Sequence, residues 1–456
     1  MLSRSTISRN APRALQSAAS RRAMASAATP GLQFDVSESA GVKVANTEPA
    51  GPTGTLALVA KAGSRYQPLP GFSDALEHFA FQSTLKRSAL RITREVELLG
   101  GEFSSTHSRE NIVLQTKFLA NDLPYFVELL AEVASQTKFT GYELDEVVSK
   151  LLKLRQQALA ANPEAVAVDA AHGLAFHRGL GESVSPSTTA PLNISAEALA
   201  EFAQQAYAKP NIALVGSGVN SAELSKWVGD FFKGLPSSGT SSQYQLKPTT
   251  ASKYYGGEQR ISSKAGNAVV IAFPGSGAAG TAAYQPAASV VAALLGGEST
   301  IKWTPGFSLL SQATQGFSQV RASTKNYAYS DAGLLAVTLS GKADQVASAS
   351  KSVVDALKKA AAGEVASEEI KKAVALAKFR ALESAQTLET GLEATGSALI
   401  NGSKTVQISE VAQSFDGVTE AQVKETAKSL LSGKASVATV GDLFQLPYAE
   451  DLGLTV

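Results

Sequence analysis

The sequence contains no cysteine among its 456 residues, which excludes disulfides, a cysteine nucleophile, thiolate zinc sites and iron–sulfur clusters. Histidine is almost as scarce, because the chain has only four: His78, His107, His172 and His177. Apart from His78, none stands in a recognisable metal-binding pattern, so the other three are interpreted as ordinary fold or surface residues. Uninterrupted runs of about 18 apolar residues are also missing, so the sequence predicts no transmembrane helix.

Acidic residues are absent from the first thirty positions, although the whole chain is nearly neutral with a formal net charge of +1. That balance gives no indication of nucleic-acid binding. Residues 1–30 are instead rich in arginine and serine, a composition typical of a mitochondrial transit peptide. The alternative is a basic tail without a targeting role, while a secretory leader would need a continuous apolar core that is missing here. The arginines are Arg4, Arg9, Arg13, Arg21 and Arg22.

Two pairs of segments repeat in the same order in the two halves of the chain. The apolar runs 56–60 and 269–272 both lead into a Gly-Ser pair and predict buried strands. Later in each half, the runs 212–216 and 437–441 each follow a lysine at the same spacing and a helical pattern. Two matches in the same order favour an internal duplication over chance.

Long amphipathic patterns predict helices around these strands. One such pattern covers residues 142–161 and carries apolar side chains at helical spacing, and Pro163 then starts another. Ser195 is placed to cap a helix in the first half. In the second half, Thr419 and Gln422 are spaced to form a capping box. Blocks of strands and helices in each half therefore predict an α+β fold.

A stretch rich in small polar residues separates the two halves. Residues 236–257 have this composition and predict a linker. Each half is expected to form an antiparallel-rich sheet covered by helices. The predicted organisation is a transit peptide over 1–30, an N-terminal domain over 31–235 and a C-terminal domain over 258–456.

Residues 71–84 carry the pattern with the most chemical content, and they read GFSDALEHFAFQST. Two metal ligands four residues apart project from one face of a helix, and a glutamate beside the second can activate a metal-bound water. Glu77 and His78 stand at the base and second-ligand positions. Asp74 stands where the first histidine would be. These three side chains are the candidate site residues.

The stretch resembles the inverted zinc motif of the pitrilysin-type metallopeptidases, whose wider form is Gly-x-x-His-x-Leu-Glu-His-x-x-Phe-x-x-Thr. Leu76, Phe81 and Thr84 match its flanking positions. The mitochondrial branch of this family contains the processing peptidase and the core subunits of ubiquinol–cytochrome c reductase, respiratory complex III. The resemblance covers essentially the whole mature chain and implies two homologous domains that face each other around a cavity.

The resemblance also implies a third zinc ligand, a glutamate in a later helix. Alignment places that position near Val148, and Glu146 close by would face roughly the opposite way on an ideal helix. The zinc motif is therefore broken at Asp74 and near Val148. We predict no metal, no cofactor and no catalysis, with Glu77 and His78 as vestiges of a hydrolytic site. The alternative is an active peptidase with altered zinc ligation, which would require the helix to move because aspartate is shorter than histidine.

The second half of the chain indicates which non-catalytic group of the family the sequence resembles more closely. The α subunit of the mitochondrial processing peptidase carries a long glycine-rich loop that handles presequences. The corresponding stretch, residues 294–312, has no polyglycine run and contains Trp303 and Pro305, which stiffen a loop. With the C-terminal segment 441–448, this favours the complex III core subunits. The presequence-binding α subunit is the alternative.

The complex III branch implies a structural role in assembly and stability, with the haem and iron–sulfur chemistry carried by other subunits. It implies a place on the matrix side of the mitochondrial inner membrane, peripheral and without a membrane span. No nucleic-acid partner is expected. The partners that the resemblance implies within the dimeric complex are core subunit 1, cytochrome b, cytochrome c1, the iron–sulfur protein and small subunits.

Overall fold

The computed structural model describes residues 34–48, 51–185, 194–238, 243–248, 250–297, 306–386, 388–403, 405 and 407–456. The predicted transit peptide lies outside the described residues, as do Trp303 and Pro305. Within these ranges the chain forms two mixed sheets with flanking helices, which confirms the α+β class.

The first half of the chain forms a six-stranded sheet. Its strands are β1 (Asp35–Ser39), β2 (Val42–Thr47), β3 (Thr53–Ala60), β4 (Glu102–His107), β5 (Ile112–Leu119) and β6 (Ile212–Ser217). They lie in the order β1-β2-β6-β3-β5-β4, with β2 and β6 parallel and the other neighbours antiparallel. Central strand β3 is buried from Gly54 to Ala60, as expected of a strand covered on both faces.

The second half repeats this arrangement in a five-stranded sheet. Its strands are β7 (Gly257–Ser262), β8 (Asn267–Pro274), β9 (Val320–Ala328), β10 (Gly333–Gly341) and β11 (Ser436–Gly441). The order β7-β11-β8-β10-β9 matches β2-β6-β3-β5-β4, and β7 and β11 form the corresponding parallel pair. The common order confirms the duplication that the repeated apolar runs predict. Strand β7 begins at Gly257, the last residue of the predicted linker.

Helices occupy most of the remaining described chain. The helices of the first half are α1 (Phe72–Phe79), α2 (Ala89–Leu98), α3 (Leu123–Gln136), α4 (Ser149–Ala160), α5 (Pro163–Phe176), α6 (Ala196–Ala206) and α7 (Ser221–Phe231). A short turn (Gly141–Glu143) and a π-helical turn (Leu144–Val148) lead into α4. The helices of the second half are α8 (Pro286–Leu295), α9 (Leu309–Thr314), α10 (Ala343–Ala362), α11 (Ser367–Gln386), α12 (Leu388–Ile400), α13 (Ile408–Asp416) and α14 (Glu420–Ser432).

Side-chain caps fix the ends of the helices where the sequence predicts them. Ser195 accepts a hydrogen bond from the backbone amide of Ala198 at the start of α6. Thr419 and Gln422 form a capping box at the start of α14, with each side chain bonded to the other residue's backbone. In the described part of the chain, no helix combines the length and apolar character that a membrane crossing requires.

One helix of each half packs on the sheet of the other half. The sequence does not predict this exchange. Helix α5 packs on the second sheet through a row of small side chains that includes Ala167, Ala171 and Ala175. Helix α12 packs on the first sheet through Leu392 and Leu399. Because of this exchange, neither half closes its own core, and we expect the two halves to support each other's stability.

A buried ion-pair network also joins the halves. Arg65, in the loop after β3, donates to Glu110 at 2.7 Å and to both carboxylate oxygens of Asp331 at 2.8 and 2.7 Å. Its side chain is only 3% exposed. Glu110 in turn accepts hydrogen bonds from Ser330, which precedes Asp331 in the turn between β9 and β10. Arg65 and Glu110, the two charged residues that the first half contributes, therefore both have partners in the second half.

His172 makes a further buried contact between the halves. Its Nδ1 donates to the carbonyl of Val168 at 2.7 Å, so its Nε2 accepts from the hydroxyl of Tyr329 at 2.8 Å. Burial, together with the charge of Arg109, lowers the pKa of His172 to about 3. The ring is therefore neutral in the folded protein at every physiological pH.

The close packing of α12 on the first sheet depends on Gly396. A Cβ atom at this position would lie 2.4 Å from Val59 Cγ2 and 3.3 Å from Val215 Cγ2. We expect Gly396→Leu to lower the free energy of unfolding by roughly 1–3 kcal/mol through overpacking. Chemical denaturation measures this change. The control is Gly234→Leu, where a Cβ meets no atom within 4 Å. Equal stability of the two variants would contradict the helix exchange.

The buried His172 predicts an acid-sensitive stability. The pKa of His172 in the folded protein lies below its unfolded value of about 6.5. The contribution of the neutral ring to the free energy of unfolding is therefore complete above about pH 6.5 and is lost as the pH falls towards 3. We expect His172→Gln to reduce the fall in unfolding free energy below pH 6.5 by up to about 1 kcal/mol per pH unit. Denaturant titrations at several pH values measure this pH dependence of the free energy of unfolding. A pH dependence in His172→Gln equal to that of the wild type would contradict this role of His172.

Candidate functional site: a degenerate metal motif

Helix α1 carries the metal-type motif, and contacts at its first turn fix its start. Gly71 precedes the helix with φ 95°, a left-handed conformation that favours glycine. The side-chain oxygen of Gln67 accepts hydrogen bonds from the backbone amides of Gly71 and Ser73 at 3.1 and 3.4 Å. Ser73 Oγ donates to the carbonyl of Ala62 at 2.7 Å. The helix is thus anchored independently of the charged side chains on its next turns.

Leu76, Phe81 and Thr84, which flank the charged positions of the motif, make packing contacts. Leu76 is buried in the first core, and the ring of Phe81 lies 4.5 Å from that of Phe103 on β4. Thr84 Oγ1 hydrogen-bonds to the buried carboxylate of Glu132 on α3. These contacts hold α1 against the sheet edge and against α3, so the sequence similarity at these positions reflects a shared scaffold.

Asp74 and Glu77 lie one turn apart on α1, and their carboxylates converge on one guanidinium. Arg155 of α4 places Nη1 3.2 Å from Asp74 Oδ1 and 2.7 Å from Glu77 Oε2. Ser185 Oγ donates to the other oxygen of Asp74 at 2.6 Å. His78 Nε2 lies 3.5 Å from Asp74 Oδ1 but makes no hydrogen bond. The side chain of Asp74 has no exposed surface, whereas that of Arg155 is 30% exposed.

The structure adds His107 to this site, so its interpretation as an ordinary fold or surface residue is wrong. At the end of β4, His107 Nδ1 contacts Glu77 Oε2, and its Nε2 lies 2.9 Å from the carbonyl of Val184. Each ring nitrogen therefore faces an oxygen that can accept a hydrogen bond. Within the described ranges, Asp74, Glu77 and His107 form the only group of three such side chains able to hold a metal, with ligand atoms within 4.8 Å of one another.

The electrostatic environment disfavours base chemistry at Glu77. Burial raises the pKa of this carboxyl, but the hydrogen bond and charge of His107 and the charge of Arg155 outweigh it, so the net shift is downward. Burial also lowers the pKa of His78, and the two neighbouring carboxylates oppose that effect only in part. A carboxylate with a lowered pKa holds a proton less readily than an ordinary glutamate, which makes Glu77 a weak general base.

An apolar side chain occupies the position expected of the third zinc ligand. Val148, at the end of the π-helical turn, is fully buried in the core of the first half. Glu146 is exposed instead and forms an ion pair with Lys150 at 2.6 Å on the same helix. Neither residue therefore supplies a ligand oxygen to the group formed by Asp74 and Glu77.

Zinc is the metal that the pitrilysin resemblance implies, and the residues present do not fit it. Asp74 stands at the position of the first histidine ligand, and the predicted position of the glutamate ligand, near Val148, is apolar. The guanidinium of Arg155 bonds to both carboxylates that would face the ion. A cation cannot occupy the same space, and its approach would be opposed by the arginine charge.

A cavity of about 500 Å³ lies between the two halves, as the family resemblance leads us to expect. One of its walls is formed by the turn between β4 and β5, where Ser108 Oγ donates to Glu393 on α12 at 3.0 Å. The cavity lining is mixed in character and includes Glu110, Tyr284, Asn326, Tyr329 and Thr395. Of the stretch 294–312 compared with the glycine-rich loop, residues 298–305 lie outside the described residues.

Comparison with known proteins matches both halves of the chain. The insulinase family (peptidase family M16) matches residues 43–186, and the inactive domain of peptidase M16 matches residues 193–376. Mitochondrial cytochrome b-c1 complex subunit 2 of Neurospora crassa is 48% identical over 100% of both chains. The protein of the same name in Yarrowia lipolytica is 39% identical over 92% of this chain and 96% of its own.

More distant relatives carry the same name. In Rattus norvegicus the cytochrome b-c1 complex subunit 2 is 29% identical over 90% of both chains. The similarity therefore extends from fungi to a mammal and covers both sheets described above. The chain belongs to the M16 peptidase family and, within it, to the family of mitochondrial cytochrome b-c1 complex subunit 2 proteins.

Proposed function

We propose that this chain is the second core subunit (core protein 2) of the mitochondrial ubiquinol–cytochrome c reductase complex, a structural subunit without catalytic activity. It supports the assembly and stability of a respiratory complex whose electron transport is carried by other subunits. The observation that carries the proposal is the 48% full-length identity to a cytochrome b-c1 complex subunit 2. The filled hydrolytic centre on α1 supports the same role.

The site geometry supports the absence of peptidase activity. Hydrolysis in this family needs a metal-bound water and a free carboxylate to activate it. Both oxygens of Asp74 have partners, and Glu77 contacts both Arg155 and His107. Among the described residues, both oxygens of Asp74 and Oε2 of Glu77 are therefore engaged in contacts that a metal-bound water would have to replace.

The surface supports attachment through protein contacts. The described chain exposes several large apolar side chains, which are candidates for burial at interfaces. Leu98 is 86% exposed, Phe307 78% and Tyr142 74%. The partners we propose are core subunit 1, cytochrome b, cytochrome c1, the iron–sulfur protein and the small subunits of a dimeric complex. The proposed location is peripheral, on the matrix side of the mitochondrial inner membrane.

The presequence-binding α subunit of the mitochondrial processing peptidase is the alternative from the sequence. Both roles use a non-catalytic chain on the same scaffold. The names of the three relatives reported above favour the complex III subunit, since each is a cytochrome b-c1 complex subunit 2. The two roles differ in their partners, which makes them separable by purification.

Purification of the tagged full chain from mitochondria in mild detergent tests the proposal. We expect cytochrome b and cytochrome c1 to copurify in amounts comparable to the tagged chain, as measured by mass spectrometry. The same tag on an unrelated matrix protein is the control. Recovery of a detergent-independent heterodimer with a processing-peptidase β subunit, without either cytochrome, would reject the complex III role in favour of the alternative.

A peptidase assay tests the absence of catalysis separately. The purified chain, with added zinc, should not hydrolyse presequence peptides above the rate of Glu77→Gln, because the wild-type glutamate is already engaged by Arg155 and His107. Peptide fragments are measured by mass spectrometry, with an active processing peptidase as the positive control. Zinc-dependent cleavage that Glu77→Gln abolishes would instead establish the altered-ligation peptidase.

A further inference from the structure

One guanidinium nitrogen bridges two carboxylates that lie on successive turns of the same helix. Arg155 Nη1 is within 3.2 Å of Asp74 Oδ1 and 2.7 Å of Glu77 Oε2. Both acids are buried, Asp74 completely. Two buried carboxylates at this separation repel each other and require a cation between them or a shared proton. The guanidinium of Arg155 supplies that cation.

The same carboxylates, together with His107, have the features of a metal-ligand set. The ligand atoms of Asp74, Glu77 and His107 all lie within 4.8 Å of one another, and all three residues are buried. His107 is also oriented in the manner of a ligand, because its Nε2 bonds to the backbone carbonyl of Val184 at 2.9 Å. Such a bond on the far ring nitrogen is the usual support of a metal-bound imidazole.

We propose that Arg155 is a built-in cation that takes the place of a divalent metal ion, and that Asp74, Glu77 and His107 form a latent metal site that it keeps closed. This ligand set is not the one the zinc motif implies, since His107 stands outside the motif and the helical glutamate is lost. The proposal concerns the chemistry of this cluster and holds whether or not the chain assembles into complex III.

The chemistry of the cluster sets the class of ion that it would take. Two carboxylates and one imidazole form a nitrogen–oxygen donor set that suits zinc, cobalt and manganese. Three protein ligands leave coordination positions for water. Arg155 reaches the cluster from α4 with its side chain 30% exposed, so its removal would open a path from solvent to the ligands. Without Arg155, the two buried carboxylates would again need a positive charge, which favours uptake of a divalent ion.

Replacement of Arg155 in the full chain tests this proposal. We expect wild-type protein dialysed against zinc to retain none and to show no shift in Tm on adding zinc, cobalt or manganese. Arg155→Ala should melt at a lower temperature without metal and recover with zinc. It should then bind about one zinc ion per chain by elemental analysis, and cobalt should give a visible absorption band.

Matched variants separate metal binding from loss of an arginine. Arg155→Lys retains a positive charge and should bind no metal. The double variant Arg155→Ala, His107→Ala lacks one ligand and should not recover with zinc. Arg91→Ala removes an arginine that is 61% exposed and pairs with Glu95 on the surface, and it should change neither Tm nor metal content.

Two results would overturn the proposal. One is stoichiometric zinc in the wild-type protein, because the guanidinium would then not exclude the ion. The other is a folded Arg155→Ala variant that binds no divalent ion. If Arg155→Ala does not fold without metal, it is refolded from denaturant with zinc or with magnesium. Zinc-dependent recovery supports the latent site, and failure with both ions counts against it.

Discussion

Two buried carboxylates on one helix impose the constraint around which the site is built. Asp74 and Glu77 cannot both be ionised in the interior without a positive charge between them. The family's zinc motif has a histidine in place of Asp74. With aspartate at this position, Arg155 supplies the required positive charge from α4. Val148, near the predicted position of the third ligand, is packed in the core of the first half.

The two halves of the chain depend on each other more than a simple duplication requires. Helix α5 covers the second sheet and α12 covers the first, so the apolar faces of both sheets remain buried only when the halves are docked. Arg65 adds a buried ionic connection to Asp331 across the same boundary. A framework of this kind suits a structural subunit, because its shape is fixed by its own core and its outer surface is left for partners.

Local patterns in the sequence predict the strands and helices well, because these elements are determined by residues that are close together in the chain. The apolar runs of β3, β6, β8 and β11, the capping box of α14 and the metal-type spacing on α1 all depend on residues within a few positions of one another. The duplication is visible for the same reason, since each repeated unit carries the same local pattern in the same order.

The contacts that decide the site's chemistry could not be predicted in this way. Arg155 lies on a later helix, His107 ends a strand and Ser185 lies in a loop, and only tertiary packing brings them to α1. No spacing rule connects any of them to the motif. The sequence does not predict the exchange of α5 and α12 for the same reason, because the apolar face of a helix does not indicate which sheet it will cover.

On this proposal, the side chain of Arg155 stands where a peptidase of this scaffold would hold its metal. The most direct measurement is an anomalous difference map at the zinc absorption edge, from crystals of the protein grown with zinc present. The map should show guanidinium density of Arg155 between Asp74 and Glu77 and no anomalous peak there. A zinc peak bound by these two carboxylates, with Arg155 displaced, would contradict it.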